Sequence, residues 1–195
     1  MRKRINEFMQ TILDGGEILP AEARELAGVA NAELPYLFAA ANTIRQQYQG
    51  EKVHLCAILN GRSGHCSEDC SYCAQSVHHQ TGVAVYPLLD SDEILRHAKA
   101  AEAAGVSHFS LVLSGRGMDA AQEAENFDRI IDTYRRILQQ TGLKLCASLG
   151  SLTAEQARRL KEVGVERYHH NVETSRDYYA SICRTHTYED RTRTI

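Results

Sequence analysis

No apolar run in this 195-residue chain approaches the roughly 20 residues that a membrane-spanning helix requires. The N-terminus, MRKRINEFMQ, is basic, but no apolar stretch follows it. The pattern of a secretory signal peptide is therefore missing, and a cytoplasmic location is expected. An excess of either charge is missing too. The formal net charge of -3 offers no basic field for nucleic acid or an anionic membrane surface. What is present suffices for one domain with a real core: 43% of residues are hydrophobic and 24% are charged. The six cysteines are even in number, but a disulfide framework belongs to small secreted chains. In a cytosolic chain, clustered cysteines more often bind metal or carry chemistry.

The chain reads as two parts, a helical segment over residues 1–50 and an α/β segment over 51–195. A helix over Met1–Leu13 stops at Asp14-Gly15-Gly16. Pro20 suits the first turn of a second helix to Ala30, and Pro35 opens a third to about Gln49. Strands and helices then alternate. Strands are expected at Val53–Asn60, Ser107–Ser114, Lys144–Leu149 and Glu166–Thr174. Asp90-x-x-Glu93 and Thr153-x-x-Gln156 read as capping boxes. Phe127, Ile130, Ile131, Tyr134, Ile137 and Leu138 have helical spacing. The unit helix–glycine–strand recurs at Gly105, Gly142 and Gly164, which predicts a parallel sheet. Four such units make half of an eight-fold barrel, which typically takes ~250 residues. A further helix expected to begin at Tyr188 adds to the expectation that this is the N-terminal part of a longer protein.

The strands are apolar on one face only. Leu55, Ala57 and Leu59 oppose Cys56, Ile58 and Asn60; Phe109, Leu111 and Leu113 oppose His108 and Ser110; Leu145 and Ala147 oppose Cys146 and Ser148. On the fourth, His169, Asn171 and Glu173 share a face. A parallel strand covered on both sides is apolar on both. The pattern here predicts a curved sheet whose inner face lines a polar cavity.

The strongest motif is Gly64-His65-Cys66-Ser67-Glu68-Asp69-Cys70-Ser71-Tyr72-Cys73, just after the first strand, at the end where α/β active sites gather. Three thiolates on a short loop bind three irons of a cubane and leave the fourth open to a cofactor. The competing reading is a zinc site completed by His65, His78 or His79, but structural zinc sites usually split their ligands into two pairs.

The motif Cys-x3-Cys-x2-Cys, with Tyr72 before the last cysteine, resembles the radical S-adenosylmethionine superfamily. Its surroundings resemble the biotin synthase family: Asn60-Gly61-Arg62-Ser63-Gly64, Ala74-Gln75-Ser76, Ser114-Gly115-Arg116-Gly117, the run Tyr168–Thr174, and Thr187-Tyr188-Glu189-Asp190-Arg191. The resemblance runs from about residue 50 to the end. It implies the N-terminal half of a TIM-type barrel that inserts sulfur into dethiobiotin by radical chemistry. The implied cofactors are a 4Fe-4S cluster, S-adenosylmethionine and an auxiliary iron–sulfur cluster, 2Fe-2S or a variant. The implied partners are dethiobiotin and a reductant such as flavodoxin or ferredoxin, with a homodimer as an option.

By the same resemblance, Cys66, Cys70 and Cys73 hold the first cluster and Tyr72 packs near adenine. Ser114 and Gly115 hold the methionine end. Asn171 and Glu173 contact ribose hydroxyls and the substrate's ureido ring, and Arg191 pairs with the methionine carboxylate. Cys146 matches a ligand of the auxiliary cluster. Each has a plainer alternative: loop packing for Tyr72, a structural polar pair for Asn171 and Glu173, a solvated helix charge for Arg191. Two departures stand out. Ser110 occupies a position where well-known members carry cysteine, and His169 and Glu173 replace the familiar Asn and Asp. In this the chain is similar to a biotin synthase branch of anaerobes with a different auxiliary cluster. Cys56 and Cys183 are then spare ligands, or simply core thiols. The alternatives for the whole are another radical enzyme of the same branch, such as a hydrogenase maturase or amino-acid mutase, and an inactive cluster-binding half barrel.

Overall fold

A computed structural model describes all residues, 1–195, as two compact units, Met1–Val53 and His54–Ile195. The first holds three helices, α1 (Arg2–Leu13), α2 (Pro20–Ala27) and α3 (Leu34–Gln49). Ile5, Val29 and Ala40 form its small core, and the Tyr48 hydroxyl donates to the Ile12 carbonyl at 2.7 Å, tying α3 to α1. No helix is long and apolar enough to cross a membrane.

The second unit is a parallel sheet in the order β1-β2-β3-β4, with helices between the strands. Its elements are β1 (Cys56–Arg62), α4 (Ser91–Ala103), β2 (His108–Leu113), α5 (Ala124–Gln140), β3 (Lys144–Ser148), α6 (Ala154–Val163), β4 (Val165–Tyr168), α7 (Arg176–Ile182) and α8 (Tyr188–Thr192). The apolar strand faces meet α4, α5 and α6. Phe109, Leu111, Leu145 and Ala147 are fully buried against Ile94, Phe127, Ile130, Tyr134 and Ile137. Each fully buried large side chain on this face contributes about 1.5–3 kcal/mol. The Tyr134 hydroxyl donates to the Cys146 carbonyl at 3.1 Å and fixes β3 against α5.

Several local expectations are corrected. The first strand begins at Cys56, not Val53; Val53 and Leu55 are exposed, while Ala57 and Leu59 pack on the core. A bulge between Asn60 and Arg62 prolongs β1 and re-aims Arg62. The Thr153 capping box forms, but Asp90 makes no side-chain cap bond. The fourth strand ends at Tyr168. The His169 amide still donates to the Ala147 carbonyl at 2.7 Å, after which the chain leaves the sheet and Glu173 adopts φ 71°. The expected shared strand face of His169, Asn171 and Glu173 therefore does not exist. Helix α7 was not anticipated.

On the inner face, Ile58, Ser110, Cys146 and Arg167 form one row across the four strands. Cys56 stands opposite His108, one step before that row.

Candidate cluster and cofactor site

The cysteine loop leaves β1 through Ser63, bridged to Tyr86, and closes on itself. The Gly64 amide donates to Gln75 Oε1 at 2.9 Å, the Cys66 amide to the Gln75 carbonyl at 3.1 Å, and the Val77 amide to the Cys66 carbonyl at 2.9 Å. Ser76 Oγ donates to the Glu68 carbonyl at 2.6 Å. Gln75 and Ser76 thus shape the loop whose cysteines bear the chemistry. Gly64 takes φ 71° with Val85 against it, a place where a side chain would be both strained and crowded.

The far side of the loop is pinned to the α7–α8 connection. The Ser71 amide donates to the Ile182 carbonyl at 2.8 Å. The Asp69 carboxylate accepts from the Arg184 amide at 2.8 Å and the Thr185 amide at 3.2 Å, and pairs with the Arg184 guanidinium. These bonds, that of the Arg184 amide foremost, hold the Asp69 carboxyl well below the usual carboxylate range. Glu68 is buried, and burial by itself would raise it. Bonds from Thr185 and His186 outweigh that and keep it ionised.

All nine residues expected to bind the first cluster and its cofactor line one cavity of about 250 Å³: Cys66, Cys70, Tyr72, Cys73, Ser114, Gly115, Asn171, Glu173 and Arg191. Burial raises the Cys66 thiol. The Glu68 and Gly115 amides, which donate to its sulfur, oppose the rise. Burial, with Cys183 alongside, pushes Cys70 up to about 12. Both are thiols at neutral pH until a metal holds them deprotonated. Tyr72 is more than half exposed; burial of its hydroxyl, then the nearby Cys70 and Glu173, raise it. Arg191 Nε and His170 Nε2 are buried in the same cavity without a partner. Three converging thiols, an unpartnered guanidinium nitrogen and a carboxylate fit a thiolate-held cluster beside a ligand with carboxylate and hydroxyl groups.

Ser114 lines this cavity, but its hydroxyl donates to the Gly64 carbonyl at 2.8 Å. Its side chain therefore serves the loop, and Gly115, at φ 123°, presents backbone to the cavity. Beside it, Arg62 donates to the Ser114 carbonyl at 2.8 Å and to both oxygens of Glu123. Cys146 lies elsewhere, fully buried on the inner row beside Ser110. Burial, then the nearby Cys56 thiol, raises it. The histidines of the zinc alternative do not gather around the cysteines. His78 and His79 are spent on the Ser67 and Cys70 carbonyls, and His65 is exposed.

Reading the sequence alone did not single out Arg62, Glu68, Asp69, Tyr179, Thr185 or His186. The bonds that join Glu68 and Asp69 to Arg184, Thr185 and His186 span more than 100 positions, a separation that no local pattern encodes.

Residues 62–195 match the sequence model of the Radical SAM superfamily, and the chain belongs to that superfamily. Its cofactors are a 4Fe-4S cluster and S-adenosylmethionine. The chain is similar to biotin synthase of Carboxydothermus hydrogenoformans, 48% identical over 195 residues, all of this chain and 59% of that protein. It is 46% identical to biotin synthase of Clostridioides difficile over 198 residues, 100% of this chain and 60% of the relative. Among solved structures it resembles HydG, a maturase of the FeFe-hydrogenase, with TM-score 0.79 and 22% identity over 100% of this chain and 43% of the other. That likeness shows the shared radical SAM barrel architecture, of which the present sheet is a half.

Proposed function

We propose that this chain carries the radical-generating half of a biotin synthase, an enzyme that inserts sulfur into dethiobiotin. One observation supports this above the rest. The three loop cysteines, Asn171, Glu173 and Arg191 line one cavity, within a sequence 48% identical to a biotin synthase over its whole length. Because the chain spans 58–60% of the length of such relatives, the complete reaction is a property proposed for the whole protein.

Cys66, Cys70 and Cys73 would hold the cluster, which when bound supplies the electron that cleaves the sulfonium of S-adenosylmethionine. Arg191 would pair with the methionine carboxylate through its free Nε, since a guanidinium fork matches a carboxylate. The Glu173 carboxylate would accept from vicinal hydroxyls. Tyr72, which lines the same cavity, would pack near the adenine. Cys146 would bind the auxiliary cluster, and a small redox protein such as flavodoxin or ferredoxin would supply electrons.

The test begins with anaerobic reconstitution. Iron and sulfide should bind at cubane stoichiometry, and Cys70→Ala should abolish this because two thiolates do not hold a cubane on so short a loop. Adding S-adenosylmethionine to the reduced protein should change its electron-paramagnetic spectrum. Failure of the chain, first stripped of other metals by a chelator, to take up any iron and sulfide would end the reading. If the complete protein binds cluster and cofactor but makes no biotin from dethiobiotin, the maturase-like alternative replaces it; Ser110, in place of a thiol, favours that alternative.

A further inference from the structure

We propose that the cluster-free chain has a second metal site, which holds a single thiophilic divalent cation at Cys70, Cys183 and His186. The site lies where the cysteine loop meets the α7–α8 connection. Cys70 Sγ is 3.8 Å from Cys183 Sγ, and Cys183 Sγ is 3.2 Å from His186 Nδ1. The three ligand atoms all lie within 4.8 Å of one another. A tetrahedral ion with metal–sulfur bonds of about 2.3 Å separates its two sulfurs by ~3.8 Å, so the thiols already stand at the edge length of that tetrahedron.

The surroundings are those of a metal site. The other ring nitrogen of His186, Nε2, bonds the Tyr179 hydroxyl at 2.7 Å, which fixes the ring and turns Nδ1 towards the sulfurs. Ligating histidines are usually held in this way by a partner on the second nitrogen. Glu68 Oε2 contacts His186 Nδ1 and offers an oxygen for the fourth position. Cys70, Cys183, Glu68 and Tyr179 are all at least nine-tenths buried. The two segments are joined by bonds that use none of the ligands: Ser71 to Ile182, and Asp69 to Arg184 and Thr185. The two thiols and the imidazole therefore stand together before any ion arrives, and the ion takes the place of the bond between His186 Nδ1 and Glu68 Oε2.

Cys70 belongs to both sites. An ion held by Cys70, Cys183 and His186 removes Cys70 from Cys66 and Cys73, so single-ion binding and cluster binding exclude each other. The sharing gives the chain a cluster-free form in which its most buried loop thiol is occupied.

The probe is cobalt(II), added anaerobically to the full 195-residue chain stripped of iron and sulfide. One cobalt per chain should bind, with tetrahedral ligand-field bands and thiolate charge-transfer absorption, and one equivalent of zinc should displace it. Cys183→Ser and His186→Gln should each weaken cobalt binding at least tenfold. Cys66→Ser and Cys73→Ser should change it by less than twofold. The zinc-loaded chain should take up no cluster until a chelator removes the zinc. Far-ultraviolet circular dichroism checks that each variant folds; should Cys183→Ser not fold, His186→Gln carries the same expectation. The proposal is overturned if Cys66→Ser weakens cobalt as much as Cys183→Ser, if His186→Gln keeps wild-type affinity, or if bound cobalt is not tetrahedral.

Discussion

Replacing Ser110 with alanine should stabilise the protein, although the residue sits at the centre of the sheet. Ser110 is fully buried, its backbone is paired on both sides with β1 and β3, and its hydroxyl has no hydrogen-bond partner. A buried hydroxyl left unbonded costs about 1–3 kcal/mol. Alanine keeps the backbone and Cβ and leaves a gap of one oxygen atom, a loss of well under about 1 kcal/mol in packing contacts. The net gain expected is about 1–2 kcal/mol. For a chain of this size each kcal/mol moves Tm by roughly 2–4 °C, so the melting point should rise by several degrees. Thermal and urea unfolding of the cluster-free chain, followed by far-ultraviolet circular dichroism, measure this directly. A loss of about 1 kcal/mol or more in Ser110→Ala would refute the reasoning, because it would mean that the hydroxyl is bonded in solution.

Three further outcomes follow from the same geometry. Arg191→Ala should weaken S-adenosylmethionine binding by about 1.5–3 kcal/mol, roughly 10- to 150-fold, in a titration of the reconstituted protein; unchanged affinity would remove Arg191 from the site. In the complete protein, Cys146→Ala should still cleave S-adenosylmethionine but lose biotin formation, as product analysis would show; a normal rate of biotin formation would leave Cys146 a core thiol. Burial, and then the Arg191 charge, lower His170 from 6.5 to about 4. The unfolded chain binds the extra proton between those values, so the His170 contribution is intact above pH 6.5 and is lost as pH falls towards 4. Urea midpoints measured across that window should fall less steeply in His170→Gln, and an identical slope would show that His170 is not the group responsible.

The parallel sheet was legible because glycine stops and strand alternation recur locally. Gly105, Gly142 and Gly164 each mark a helix end before β2, β3 and β4, and Gly164 takes φ 105°. The three loop cysteines were legible because their ligand spacing is contained in eight residues. The end of β4 was not, since His169, Asn171 and Glu173 keep a strand-like alternation after the ladder has stopped. Asp90 carries the right residue for a cap, but its side chain makes no cap bond to α4, and nothing in the sequence distinguishes it from Thr153, which does make one. Cys183 was weighed only as a spare thiol, because its neighbour Cys70 lies 113 positions away and chain folding alone brings the two sulfurs together.

The open form of the sheet has a consequence for handling the 195-residue chain by itself. β1 and β4 are both edges, and β4 is only four residues long. Their outer backbone amides and carbonyls form a template onto which another extended segment can add, and Ile58, 67% exposed on the inner face, supplies a sticky contact beside it. The charged residues of β4 oppose this: Glu166, paired with Lys144 at 3.2 Å, and the exposed Arg167. They act as gatekeepers against strand addition. Self-association on concentration should therefore proceed through these rims while the helix-covered core stays folded, and neutralising Glu166 or Arg167 should bring it on at lower concentration.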